Sequence, residues 1–280
     1  MDPSKLMPAS IIANVANSHT SPFLETGFAS TGFILLCSAL VFLMTPGIGL
    51  FYSGLSRSKN VLTVIVLSFI SYAVVSLQWL AFGFSLAYSD TGSLFLGDFK
   101  YSGLTNDGFN AMFSGPQIPI IAFTLYQLQF ATVTVAIIFG AVAERVRIIP
   151  AFLFVFAWTT LIYDPVSYWT WSKHGWLRNL ACLHNASNAA LPCGIGAVDF
   201  AGGGPVHIAS GFAGLAYAIM LGRRNAVKKS TAGPDNVTIV YLSTALLWFG
   251  WFGFNGGSAI GATPRAAMAA FVTTSKRILI

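Results

Sequence analysis

Long apolar stretches separated by short polar gaps dominate the chain. Seven of these stretches are near or above the roughly 20 residues that an α-helix needs to cross about 30 Å of hydrocarbon. They lie at about 29–52, 60–87, 118–142, 148–168, 200–221, 238–260 and 264–280. The pattern predicts an all-α polytopic membrane protein with about seven transmembrane helices, in contact with a lipid bilayer.

The composition excludes an ordinary soluble domain. Of the 280 residues, 55% are hydrophobic and 9% are charged, against roughly 25% charged residues in a typical soluble domain. The net charge of +6 does not indicate a nucleic-acid partner, because most of the basic residues lie in the gaps between apolar stretches. The charge distribution is instead informative about membrane topology.

The basic residues are concentrated in alternate gaps. The gaps after the first, third and fifth stretches contain Arg57, Lys59, Arg145, Arg147, Arg223, Arg224, Lys228 and Lys229. The other gaps contain only Lys100, Lys173, Arg178 and Arg265. By the positive-inside rule the first group marks the cytoplasmic side, so residues 1–28 form an extracellular N-terminal segment. That segment has no basic region directly before an apolar core, so no cleaved signal peptide is expected.

The predicted extracellular loop 169–199 contains residues that are open to modification. Asn185-Ala-Ser is an N-glycosylation sequon, and Cys182 and Cys193 flank it. All three residues would face an oxidising compartment. Glycosylation at Asn185 and a disulfide between the two cysteines are both possible on this side, and neither is established by the sequence.

His207 is the outstanding polar residue within an apolar stretch. An ionisable side chain in a spanning helix is expensive and indicates a functional site, although a buried histidine bonded to a carbonyl is the alternative. Asp199, eight residues earlier, is a candidate N-cap of the same helix. The two lie about 12 Å apart along a helix, without a nucleophile or a metal-ligand cluster. An enzyme is therefore disfavoured, and neither a metal nor a cofactor is expected.

Several motifs together carry a resemblance to a known family. They are Gly49-Leu-Phe-Tyr-Ser-Gly with Lys59-Asn60, Gly140-Ala-Val-Ala-Glu-Arg145, the run from Asp199 to Arg224, and the run from Trp248 to Ser258. With them the chain resembles the ammonium transporters of the Amt/Mep/Rh superfamily, in its fungal Mep-like branch. The resemblance extends from about residue 28 to residue 274.

The resemblance implies a substrate and the residues that handle it. Ammonium would bind at an outer site formed by Trp171, Phe130 and Ser258, with Asp199 supporting the backbone of that site. The ion would be deprotonated, and ammonia would pass through an apolar pore. Phe130 and Phe254 would form the gate of this pore, and His207 would be the first of two pore histidines.

The resemblance also implies an oligomeric state and a cellular location, and it shows one difference between this chain and the family. Relatives are plasma-membrane transporters that form trimers, so a homotrimer or a hetero-oligomer with paralogues is expected. They have eleven spanning helices in two inverted halves and a final helix, whereas this chain stops in the seventh. The expected organisation is a partial ammonium transporter domain over 29–274 and a divergent, truncated end over 275–280. An ammonium sensor and a nonfunctional or dominant-negative fragment are the alternatives to a transporter.

Overall fold

The computed structural model describes residues 22–104, 118–142, 144–180, 196–223 and 236–277, and the regular elements within these ranges are all helical. Six of the described helices are long and apolar enough to cross a membrane. They are α1 (Gly27–Leu55), α2 (Ser58–Tyr88), α3 (Ile120–Val142), α4 (Ile148–Trp171), α5 (Gly203–Leu221) and α6 (Val237–Gly257). The predicted all-α membrane fold is confirmed.

The described part of the seventh predicted stretch is a shorter helix than a membrane span requires. Helix α7, Pro264–Arg277, has 14 residues, which at 1.5 Å per residue reach about 21 Å. Its sequence begins next to Arg265 and ends with Lys276 and Arg277. The last three residues of the predicted stretch 264–280 lie outside the described ranges.

Four of the spans change their helical geometry along their length. In α1, the helix Pro22–Phe42 gives way to Met44–Leu55, close to Pro46, whose nitrogen cannot donate to the carbonyl of residue 42. The other three spans contain a π-helical segment, and such segments are frequent at functional sites. These segments are Trp79–Gly83 in α2, Thr159–Tyr163 in α4 and Gly203–Ile208 in α5.

Helix α3 occupies the centre of the bundle, and most of its residues are buried. It packs against α1, α2 and α5, while α6 packs along both parts of α1, and α4 packs against α2. The carboxyl-terminal half of α6 comes very close to α3: a Cβ atom added at Gly257 would lie 2.6 Å from the hydroxyl of Tyr126. That hydroxyl donates to the carbonyls of Gly253 (3.0 Å) and Phe254 (2.8 Å) and so fixes α6 against the central helix.

The described residues that flank the three basic gaps lie at one end of the bundle. Arg57, after α1, forms an ion pair of 3.1 Å with Glu144, in the turn between α3 and α4. The neighbouring Arg145 donates to the carbonyl of Gly222, directly after α5, over 2.7 Å. The alternation of basic gaps along the sequence therefore corresponds to a shared end of the folded bundle.

The outer surface of the bundle is apolar. Large hydrophobic side chains with more than half of their surface exposed occur on α2, α4, α5 and α6, among them Leu77, Leu161, Phe212, Met220 and Tyr241. Water would disfavour so much exposed apolar surface, and a hydrocarbon environment accepts it. The chain is a multi-pass membrane protein.

Candidate functional site

A pair of aromatic rings stands near the end of the bundle that is opposite the basic turns. Phe130, on α3, is 1% exposed, and Trp171 is the last residue of α4. Their ring centroids are 6.0 Å apart, with the planes at 85°. The electron-rich faces of such rings attract a cation. The structure thus brings together two of the three residues that the resemblance assigns to an outer site.

The indole of Trp171 is held by the backbone that leads into α5. Its Nε1 donates to the carbonyl oxygen of Asp199 over 3.0 Å. The nearby segment is in turn tied to the residues that follow α4, because the amide of Ala197 donates to the carbonyl of Leu177 over 3.1 Å. The orientation of the ring therefore depends on the conformation of the residues before α5.

The Asp199 carboxylate organises the start of α5. Its Oδ1 accepts hydrogen bonds from the amides of Gly202 (2.6 Å) and Gly203 (3.0 Å), and its Oδ2 accepts one from Gly204 (2.6 Å). Amides in the first turn of a helix have no partner within the helix, and a carboxylate at this end also complements the helix dipole. Asp199 thus performs a capping role, although the N-cap position itself is occupied by Gly202.

The backbone conformation of Gly202 explains why a glycine occupies that N-cap position. Its φ is +95°, in the left-handed region that glycine adopts without strain. The turn directs the Gly202 carbonyl toward the helix, where it accepts from the amide of His207 over 3.1 Å. A residue with a side chain at this position would strain the turn and displace the start of α5.

The rings of Phe130 and Phe254 form a stacked pair. Their centroids are 4.1 Å apart, with the planes at 24°, and each residue is 1% exposed. Trp171 contacts one side of the pair through Phe130, and His207 contacts the other through Phe254, with centroids 6.0 Å apart. The stacked pair therefore separates the outer aromatic residues from the histidine, and no open passage remains between its two rings.

His207 lies below the stacked pair with one ring nitrogen already engaged. Its Nδ1 is 3.1 Å from the carbonyl oxygen of Gly202. Because a carbonyl oxygen only accepts, Nδ1 donates in this contact, and in the neutral imidazole Nε2 is then an acceptor. The residue is exposed, as is much of the surface of α5 around it. His207 is therefore available to a further partner.

Ser258, the third residue of the expected outer site, follows directly after α6. Its hydroxyl donates to the carbonyl of Phe254 over 2.8 Å. Since the proton is used in that bond, the oxygen lone pairs remain available to accept a hydrogen bond from a ligand. The structure links Ser258 to the aromatic residues through the backbone of Phe254.

Two aromatic residues were given no role from the sequence, and both join this cluster. The ring of Trp251 lies nearly parallel to that of His207, at 19° and 6.5 Å between centroids. The ring of Tyr126 lies 5.0 Å from that of Phe130. Helical spacing was the available signal, because Trp251 precedes Phe254 by three residues and Tyr126 precedes Phe130 by four, which places each pair on one helix face.

The expected modification sites lie outside the described residues. These are Cys182, Cys193 and Asn185, which fall in the range 181–195. Most of the expected N-terminal segment and the last three residues of the expected divergent end also lie outside. Among the described residues, the free cysteine is Cys37, which is buried in α1.

Comparisons with known proteins agree with one another. A sequence model of the Ammonium Transporter Family matches residues 32–276. Ammonium transporter 1 of Schizosaccharomyces pombe is 42% identical over 240 residues, which are 86% of this chain and 45% of that protein. The ammonium transporter of Bacillus subtilis is 44% identical over 88% of this chain and 56% of its own length.

Solved structures give the same result. The crystal structure of Candida albicans Mep2 superposes with a TM-score of 0.75 and 38% sequence identity, over 89% of this chain and 52% of that protein. The chain thus spans about half the length of these relatives. The extent of these matches and the shared helical arrangement lead to one conclusion: this chain belongs to the ammonium transporter family.

Proposed function

We propose that the protein carries ammonium across the plasma membrane, with its N-terminus outside. The observation that carries the proposal is the succession of ring contacts from Trp171 to Phe130, from Phe130 to Phe254, and from Phe254 to His207. A cation-attracting entrance, a closed apolar gate and a titratable imidazole are the parts that moving a protonated amine requires. The names of the relatives, ammonium transporters, support the same substrate.

Capture begins at the outer aromatic rings. The faces of Trp171 and Phe130 attract the cation, an interaction of about 0.5–2 kcal/mol. The lone pairs of Ser258 accept a hydrogen bond from one ammonium N–H. Hydrogen bonds from ammonium are directional, so this arrangement favours ammonium over an alkali cation that donates none.

Passing the gate costs less free energy if ammonium first loses a proton. Moving an unpaired small cation into a dry apolar pore costs several kcal/mol, whereas deprotonating an amine costs about 1.4 kcal/mol for each pH unit below its pKa. Ammonium gives its proton to water on the outer side of the stacked rings of Phe130 and Phe254, and neutral ammonia then passes these rings at a lower cost than ammonium would. Sodium and potassium have no proton to lose and are excluded.

His207 is the residue that receives ammonia beyond the gate. With Nδ1 donating to the Gly202 carbonyl, Nε2 accepts a hydrogen bond from ammonia. The ring is exposed on one side. A pore requires a second wall at this point, and we infer that further helices of a full-length protein, assembled as a trimer, supply it.

Growth on low ammonium tests the proposal. A yeast strain without ammonium transporters of its own would express either the 280-residue chain or the same chain joined to the second half of the S. pombe relative. Rescue by the joined protein alone is the expected result, because only then is His207 enclosed. Rescue by the 280-residue chain would contradict the need for a second wall, and failure of a joined protein that reaches the plasma membrane would contradict the transport function.

A further inference from the structure

Asp164 is a carboxyl group that the candidate site does not use. It is the only acidic residue within the six spans α1 to α6. Its side chain is 0% exposed, and it directly follows the π-helical segment Thr159–Tyr163 of α4. An ionised carboxylate at such a place needs a compensating charge or a full set of hydrogen-bond donors.

Its described partner is a side-chain amide from α2. Gln78 Nε2 donates to Asp164 Oδ2 over 2.6 Å, and the same nitrogen donates to Thr160 Oγ1 over 3.2 Å. The other two oxygens of the pair, Asp164 Oδ1 and Gln78 Oε1, are buried and have no hydrogen-bond partner in the described part of the chain. Both are acceptors when the carboxyl is ionised, so neither can satisfy the other in that state.

No positive charge compensates Asp164 within the described ranges. The ion pairs found there join Arg57 to Glu144 and Lys100 to Asp90, near opposite ends of the bundle. The titratable groups that interact electrostatically with Asp164 are the hydroxyls of Tyr88, from α2, and Tyr163, from α4. Neither supplies a cation. The environment is that of a neutral group.

We propose that Asp164 is a neutral carboxylic acid whose proton, on Oδ1, is donated to Gln78 Oε1. One proton then satisfies both orphaned oxygens, and together with the observed bond from Gln78 Nε2 it closes a two-bond acid–amide pair. The pair joins α2 to α4 at positions next to their π-helical segments, Trp79–Gly83 and Thr159–Tyr163. A neutral pair of this kind resides in a membrane interior without the cost of a buried charge.

The pair also has a consequence for the outer site. Asp164 begins the helical segment Asp164–Trp171, and Trp171 ends it, seven residues and about two turns later. Fixing the first residue of so short a segment fixes the direction in which its last side chain points. Asp164 is therefore a positioning residue for Trp171, and it acts through the backbone of α4.

Infrared spectroscopy tests the protonation state. The 280-residue chain, reconstituted in lipid at neutral pH and labelled with 13C at the aspartate carboxyl carbon, should show the carbonyl band of a protonated carboxylic acid, shifted by the label. The band should disappear in Asp164→Asn and persist in the matched variant Asp98→Asn, which removes a loop carboxylate bonded to Ser89 and Thr91. Absence of a label-sensitive protonated band in the unmutated chain would overturn the proposal without reference to any variant.

Rescue by a matched side chain tests the pairing. Asparagine places an N–H where the acid has its O–H, so Asp164→Asn should retain both bonds, whereas Asp164→Leu should lose both. The 19F resonance of 5-fluorotryptophan at position 171, assigned with Trp171→Phe, should stay in place in the asparagine variant and shift in the leucine variant. A shift of equal size in both, or failure of both to fold, would refute the acid–amide pair. Neither experiment uses transport, so the outcome is independent of the proposed function.

Discussion

Replacing Asp199 should weaken the protection of individual backbone amides at the start of α5. Three backbone N–H groups donate to its carboxylate at 2.6–3.0 Å. A hydrogen bond to a charged group contributes about 1.5–3 kcal/mol, and the lower value applies because the site is only partly buried. Since about 1.4 kcal/mol corresponds to a factor of ten, each of the amides of Gly202, Gly203 and Gly204 should exchange with solvent about tenfold faster in Asp199→Ala.

The asparagine variant makes the prediction specific to single atoms. Its oxygen can replace Oδ1 and continue to accept from Gly202 and Gly203, but its amide nitrogen would face the N–H of Gly204. Only the Gly204 amide should then exchange markedly faster. Hydrogen–deuterium exchange resolved by NMR on the lipid-reconstituted chain measures these rates, with Asp98→Ala as a control that alters only its own loop. Unchanged exchange at all three glycines in Asp199→Ala would refute the capping role.

Three further predictions follow from other parts of the molecule. In the protein extended by a second half, Trp171→Ala should raise the KM for ammonium uptake about 2- to 30-fold, which corresponds to the 0.5–2 kcal/mol of a cation–π contact. An unchanged KM would show that Trp171 does not take part in binding ammonium. Gly257→Ala should lower the free energy of unfolding by about 1–3 kcal/mol, because the added Cβ would lie 2.6 Å from the hydroxyl of Tyr126. Gly256→Ala is the control: its Cβ would lie 3.6 Å from the nearest atom, so it should have little effect. Burial acts to raise the pKa of Asp90, but the hydrogen bonds from Lys100 and Tyr101 and the charge of Lys100 together outweigh it and leave that pKa below its ordinary 3.8. The carboxylate's contribution to stability is therefore present above pH 3.8 and is lost as the pH falls through the lowered pKa. Acid should therefore lower the protection of the amides in this loop, measured as the exchange rate relative to the intrinsic rate at each pH, and Asp90→Asn should remove that part of the pH dependence.

Hydrophobic length and charge were sufficient to predict the spans. The predicted segments 118–142 and 148–168 correspond to Ile120–Val142 and Ile148–Trp171. This agreement has a physical reason: the thickness of the hydrocarbon sets the length of an apolar helix, and both quantities are read directly from the sequence. The fifth span begins at Gly203, three residues later than predicted, because Gly202 turns the chain with a positive φ.

Contacts between distant residues could not be predicted in the same way. The π-helical segments, Thr159–Tyr163 among them, carry no compositional signal, because the change in helix geometry depends on neighbouring helices. Asp164 was overlooked since it lies near the end of an apolar stretch and its partner, Gln78, is 86 residues away. The stacking of Phe130 on Phe254 was expected only from resemblance to a family, and the structure adds the distance and the angle.

Uptake of 15N-ammonium tests the central claim most directly. Yeast cells without ammonium transporters of their own would express the extended protein, with His207 or with His207→Ala, and uptake would be measured with and without excess potassium. The account predicts rapid uptake that potassium does not affect, and loss of either the uptake or this selectivity in His207→Ala. Equal uptake and equal selectivity in the two proteins would contradict the account.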